Sequence, residues 1–262
     1  MGTRKLATIL SIAVLIVFLI WSAALAQTEK AKVADTLTGD KVIARFVEAA
    51  GGTDAHAKLT SRYQHASIEL MANLTVPITT YQVRPNKMKT IMTSDQIGTI
   101  ERGYDGTLFW EKGTMTGARL IEGQELIDAI REEAAFDKIS AWKDLYSKAE
   151  YIGTDSAAGT MCRKVRVYPK GSSEQVWFLD LTSGLPLKIT MTMNTQMGAV
   201  PADIMISDYR KVDGVMMPFK IATSAAGMNM VVVVDSVANN IAIPDSVFAP
   251  PADVLELTKQ KE

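Results

Sequence analysis

Beyond residue 27 the apolar positions of the chain change their spacing three times, and those changes outline a fold. After the polar stretch 29–35, Val42, Ile43, Phe46 and Val47 recur at three- and four-residue steps. That spacing predicts a helix capped by Thr38 or Asp40 and running to about Ala50, where Gly51-Gly52 supplies the left-handed stop. A further short helical turn is expected over 53–59. From Tyr63 the period is two, as in strands whose faces differ. Strands are predicted at 63–71, 76–84, 87–93, 98–104 and 107–111, with a two-residue hairpin turn at Asp105-Gly106 and another turn at Pro85-Asn86.

Between Glu122 and Lys148 the pattern is helical again. Leu126, Ile127 and Ile130 share one face of a first helix, with Glu132 and Glu133 opposite; Phe136, Ile139, Trp142 and Tyr146 mark a second. Strands return at 150–154, 161–168, 174–180, 185–194, 203–212, 215–224 and 228–237, with tight connections at Ser183-Gly184 and Asp213-Gly214. Some 11–12 short strands interrupted by helices predict a mainly β (α+β) domain, an incomplete antiparallel barrel or strongly curved sheet, and no βαβ units.

Ile189, Met191 and Met193 alternate with Lys188, Thr190, Thr192 and Asn194, so one face of that strand is apolar. Trp177 and Leu179 stand in a neighbouring strand. Of 14 methionines, eight fall at or beyond Met191. Methionine adapts its shape, so these residues either fill a core or line a space that repacks around an apolar guest. The helix pair faces the same choice: its apolar stripes either plug the concave sheet or roof it.

The first 26 residues stand apart. Arg4 and Lys5 precede a run, Ile9 to Trp21, interrupted only by Ser11, and Ala24-Leu25-Ala26 ends it. This is the pattern of a secretory signal cleaved before Gln27. An uncleaved anchor is the alternative, because the uncharged stretch is long enough to span a bilayer. The organisation is then 1–26 signal, 27–37 linker and 38–258 folded domain, working in the periplasm or tethered to the inner membrane.

Composition narrows the function classes. Of 262 residues 47% are hydrophobic and 22% charged, with a net charge of −1. That is globular, and it carries no basic footprint for nucleic acid. A single cysteine, Cys162, allows no internal disulfide. His56 and His65 have no metal-ligand spacing, and no G-x-S-x-G, H-E-x-x-H or P-loop motif occurs. No catalytic residues, metal or cofactor are therefore expected, and the chain is read as a non-enzyme and a monomer.

Three phrases carry a resemblance: 104–111 (YDGTLFWE), 177–188 (WFLDLTSGLPLK) and 208–220 (DYRKVDGVMMPFK), with Gly51-Gly52 before the strands and Pro244-Asp245-Ser246-Val247-Phe248 near the end. Together they resemble the outer-membrane lipoprotein-sorting (LolA-like) family. The resemblance implies a helical lid over a hydrophobic cavity that takes acyl chains of lipoproteins or other lipids. It also implies inner- and outer-membrane donor and acceptor partners, and a cavity arginine, for which Arg84 is the candidate. On this reading Ile189, Met191, Met193, Trp177 and Leu179 line the cavity, and Leu126, Ile127, Ile130, Phe136, Ile139 and Trp142 face it from the lid. The alternative is an envelope sensor of the same fold that regulates a protein partner.

Overall fold

The computed structural model describes residues 37–70, 74–96, 98–138, 142–195 and 198–259. The predicted leader, with nearly all of the linker, lies outside them. The contacts of the chain separate Met1–Leu37 from a compact unit, Thr38–Glu262, which carries the elements described here. None of the described helices is long and apolar enough to cross a membrane.

The unit opens with helix α1 (Gly39–Ala49), capped by Thr38, whose Oγ1 accepts the Lys41 amide. Val42, Ile43 and Val47 are buried, as their spacing predicts. Helix α2 (Gly52–Ala57) follows. Thirteen strands then form one antiparallel sheet: β1 (Ser61–Leu70), β2 (Leu74–Val83), β3 (Lys87–Ser94), β4 (Gly98–Tyr104), β5 (Phe109–Gly113) and β6 (Gly117–Leu120) before the next helices. Helix α3 (Gly123–Lys138) and the single turn α4 (Trp142–Leu145) lead to β7 (Tyr146–Ala157), β8 (Thr160–Pro169), β9 (Gln175–Asp180) and β10 (Pro186–Thr195). Then come β11 (Gly198–Val212), β12 (Val215–Ala225) and β13 (Met228–Asn239), a 3-10 turn (Asp245–Phe248) and helix α5 (Ala252–Lys259).

The strand order is β6-β5-β4-β3-β2-β1-β13-β12-β11-β10-β9-β8-β7. Each half is a run of hairpins, and the halves join where β1 pairs with β13. The sheet is not closed into a barrel. Its two edges are β6 and β7, which are consecutive in the chain, so the segment bearing α3 and α4 links one edge to the other. A helix of 16 residues spans about 24 Å.

Four expectations need correction. Asp105-Gly106 does not close a two-residue hairpin: Asp105 Oδ1 accepts the amides of Thr107 and Leu108, both at 2.8 Å, so the loop takes four residues and β5 starts at Phe109. The second amphipathic helix is a single turn, because Tyr146 pairs with Pro169 and already begins the 12-residue strand β7 on the β8 ladder. The short strand β6, the C-terminal 3-10 turn and α5 had no predicted counterpart. β11 begins at Gly198 rather than near residue 203, while the open 13-stranded sheet agrees with the expected incomplete antiparallel barrel. By contrast Asp213-Gly214 does join β11 to β12 with both φ positive, as a two-residue turn on twisted strands requires.

The packed interior is divided. Leu59, Ala66, Val215, Met217, Phe219 and Val234 form one cluster under β1, β12 and β13. Met88, Tyr104, Phe109, Ile121 and Ala129 form another beneath the start of α3. A small third cluster buries Cys162 against Ala157 and Phe178. Between these clusters, on the β8–β12 part of the sheet, the apolar face is left unfilled.

Candidate functional site

The unfilled face is the floor of a cavity of about 440 Å³, within the range of pockets that hold one small ligand. Register builds the floor. Trp177 of β9 stands beside Ile189 of β10, Ile189 beside Ile204 of β11, and Ile204 beside Thr223 of β12, giving one row across four strands. Alternation adds Val167 and Gln175, themselves paired, and Met191, two residues from Ile189. The other side of β10 is polar: Lys188 meets Asp203 at 2.9 Å and Thr190 donates to the same carboxylate.

The walls are helical. Ile43 and Phe46 come from α1, Trp142 and Leu145 from α4, and Tyr146 from the first position of β7. Phe46 and Tyr146 both set their rings edge-on to Trp177, with centroids 5.9 and 5.5 Å away, so three elements meet on one indole. Helix α1 reaches this position because residue 39 is glycine: a Cβ there would lie 2.3 Å from the Ala149 backbone of β7.

Among the fourteen described lining residues the one charged side chain is Arg131 of α3. It is buried, with Nη1 2.7 Å from Asp128 Oδ1 one turn earlier on the same helix. Gln175 is also buried; its Oε1 accepts the Trp177 indole N–H at 2.9 Å. The start of α3 is held from outside the cavity. Arg119 on β6 donates through Nη1 and Nη2 to both carboxylate oxygens of Glu125, at 2.9 and 2.8 Å, and through Nε to Glu111. The hydrogen bonds from Arg119 hold the Glu125 carboxyl below its ordinary range.

Of the residues expected to form the site, Ile189, Met191, Trp177 and Trp142 border this cavity. Met193, next on the same face of β10, is half-buried beyond the lining, and Leu179 is buried outside it. The face assigned to α3 is turned the other way: Ile127 and Ile130 are 44% and 38% exposed, whereas Asp128 and Arg131 are buried. Leu126 and Ala129 pack into the cluster with Tyr104 and Phe109, and that seating directs the Asp128–Arg131 pair inward and the isoleucines to solvent. The side chain of Phe136, and all of Ile139, lie outside the described residues. Arg84 is not among the described lining residues; it donates to the carbonyls of His56 and Ala57 in the last turn of α2. Nor is the cavity rich in methionine: Met191 alone of the late methionines is among the described lining residues, Met217 is in a core cluster, Met228 is exposed, and Met197 is outside the described residues.

No family model matches the sequence, and no curated protein matches it. Solved structures do. A DUF1329 family protein from Desulfovibrio piger superposes with a TM-score of 0.58 at 15% identity, over 82% of this chain and 98% of that one. An outer membrane lipoprotein-sorting protein domain from Vibrio parahaemolyticus gives 0.53 at 12% identity, over 80% and 97%. A LolA superfamily protein from Nitrosomonas europaea gives 0.53 at 9% identity, over 82% and 99%. The chain has the LolA-like fold.

In this LolA-like sheet the other titratable groups first weighed as chemistry sit away from the cavity. Cys162 is fully buried in its small cluster, and burial pushes its thiol up, away from the reactive thiolate. His56 is buried with Nε2 at the Ala50 carbonyl, and burial lowers its affinity for a proton. His65 is exposed beside Asp235. Among the described residues no group of three His, Cys, Asp or Glu side chains could hold a metal ion. The lining residues the sequence did not single out are Arg131, Gln175, Leu145, Val167, Ile204, Ile221 and Thr223. For Ile204 and Ile221 the period-two pattern of their strands was the available signal; for Arg131 there was none, because it occupies the polar stripe of an amphipathic helix.

Proposed function

We propose that the protein binds lipid acyl chains in this cavity and carries them within the cell envelope, outside the cytoplasm. The observation that supports this most directly is the Trp177–Ile189–Ile204 row: a continuous apolar floor, left unfilled by the described side chains and walled by helices. Buried apolar surface of that kind normally packs to crystal-like density. Leaving it open forfeits contacts that an apolar guest restores.

The energetics suit a carrier. Each methylene removed from water contributes ~0.8 kcal/mol, so a chain of about 16 carbons gains roughly 12 kcal/mol. A bilayer offers the same chain a similar gain, so a cavity that matches it loads and releases reversibly. Helix α3, linking the two sheet edges, is the roof that opens for exchange. The N-terminal signal pattern supports work in the periplasm, and the acyl groups of lipoproteins, passed between inner- and outer-membrane partners, belong to the class of cargo that fits.

Native mass spectrometry with lipid extraction, on the chain from Gln27 purified after export, tests the reading. Near-stoichiometric acyl lipid on the wild type is expected, and its loss by at least about tenfold in Ile189→Glu, because a carboxylate at the centre of the floor is costly to bury. A folded Ile189→Glu protein that retains its lipid, or a wild type that takes up none on challenge, overturns it.

A further inference from the structure

We propose that the cavity takes an amphiphile whose head is an anionic oxyacid, carboxylate or phosphate. Arg131 and Gln175 hold that head while the chain lies along Trp177, Ile189 and Ile204. The inference rests on the acyl-binding reading above and narrows its ligand.

Two groups carry it. The Arg131 side chain is only 7% exposed, and a guanidinium brings five N–H donors and no acceptor. Its recorded partner is Asp128, which approaches Nη1; Nη2 is buried with no hydrogen-bond partner. Gln175 is equally enclosed. Its carbonyl oxygen is taken by the Trp177 indole, but its Nε2 faces only Met191 Sδ at 3.9 Å, a weak acceptor. Arg131 and Gln175 thus border a largely apolar volume, to which the lining adds the hydroxyl-bearing Tyr146 and Thr223, and none of the described lining residues is a carboxylate.

A buried donor without an acceptor is costly, and more so when it is charged. In a space that accepts a hydrocarbon chain, the cost is relieved by an acceptor that arrives on the chain itself. Anionic oxygens do this best, because an ionised acceptor makes the stronger, charge-assisted bond to a guanidinium. A hydroxyl head offers one weaker acceptor. A cationic head adds repulsion. Asp128 belongs to the same helix and engages one edge of the guanidinium, which orients the other edge to the ligand.

The test is isothermal titration of the delipidated full-length protein with four ligands sharing a tetradecyl chain: tetradecanoate, monotetradecyl phosphate, tetradecanol and tetradecyltrimethylammonium. Both anions are expected to bind the wild type at least about tenfold more tightly than the alcohol, and the cation more weakly than the alcohol. A preference for one anion over the other separates a free fatty acid from a phosphate-headed lipid, and either supports the inference. Arg131→Met should bring the anions to within about twofold of the alcohol. Arg131→Lys should keep part of the margin, and it serves in place of Arg131→Met if circular dichroism shows that variant unfolded. Equal affinity of the wild type for anions and alcohol overturns the inference and leaves acyl binding standing; an undiminished margin in both variants overturns the role of Arg131. Binding of none of the four removes the acyl-binding reading as well.

Discussion

Trp110 shows how single residues position larger pieces of this molecule. It is fully buried on β5, directly opposite Gly103 on β4. A Cβ at residue 103 would stand 2.5 Å from the indole ring, so the missing side chain of one residue is the seat of the other. Lys89 closes the far side with its ammonium 4.4 Å from the ring centre, neutralised by Glu101 at 2.6 Å. Gly103→Ala should therefore lower the stability of the sheet by about 1–3 kcal/mol through overpacking, read as a shifted urea midpoint with unchanged slope. An unshifted midpoint would show that Trp110 moves aside freely. At this scale the sequence was legible where a residue's period agreed with its neighbours, as at Ile189 and Met191. It was illegible where a side-chain contact rather than alternation decides the outcome, as with Gly103 under Trp110 or Gln175 beside Trp177.

Among the elements, α3 is the one on which expectation and structure part furthest. Its helical spacing was plain, yet Ile127 and Ile130 face solvent and Asp128 and Arg131 face inward. Periodicity reports that a helix has two unlike faces; it does not report which face a neighbouring cluster claims. Here Leu126 and Ala129, seated with Tyr104 and Phe109, set the rotation. The first turn is fastened by Arg119, which binds Glu125 and Glu111 at once. Glu125 ionises below its ordinary value of 4.5 because of that pairing. The pairing therefore contributes its full stabilisation above pH 4.5 and loses it as pH falls through the lowered value. Acidification through that window should raise amide exchange in 123–131 before the sheet unfolds. Arg119→Gln at neutral pH should do the same, by about 5–30-fold for a loss of about 1–2 kcal/mol. Exchange in α3 that follows global unfolding in both cases would mean that the helix has no separate opening. The same competition between local and distant forces explains α4: three- and four-residue spacing of apolar residues up to Tyr146 reads as helix, but β8 takes Tyr146 as a strand partner.

On the scale of the whole molecule, the hairpin succession was readable from turn residues, as Asp213-Gly214 shows, and so was the placement of helices between two sets of strands. The order of strands was not, because the pairing of β1 with β13 joins residues some 170 positions apart, such as His65 and Asp235. That pairing puts β6 and β7 at opposite edges, and the chain between them returns across the gap. The roof is consequently a strap made fast at both ends, not a door on one hinge. On the proposed carrier reading, a strap lifts by using its slack, and the slot it opens lies along its flank, so a long chain slips in sideways over its whole length at once. On that reading slack, more than fit, sets the tempo of exchange. Inserting six Gly-Ser residues between Ile121 and Glu122, ahead of α3, should speed the release of bound lipid several-fold while changing overall stability by less than about 1 kcal/mol, since loop length costs little. Unchanged release from the lengthened strap would mean that some other part of the molecule gives way first.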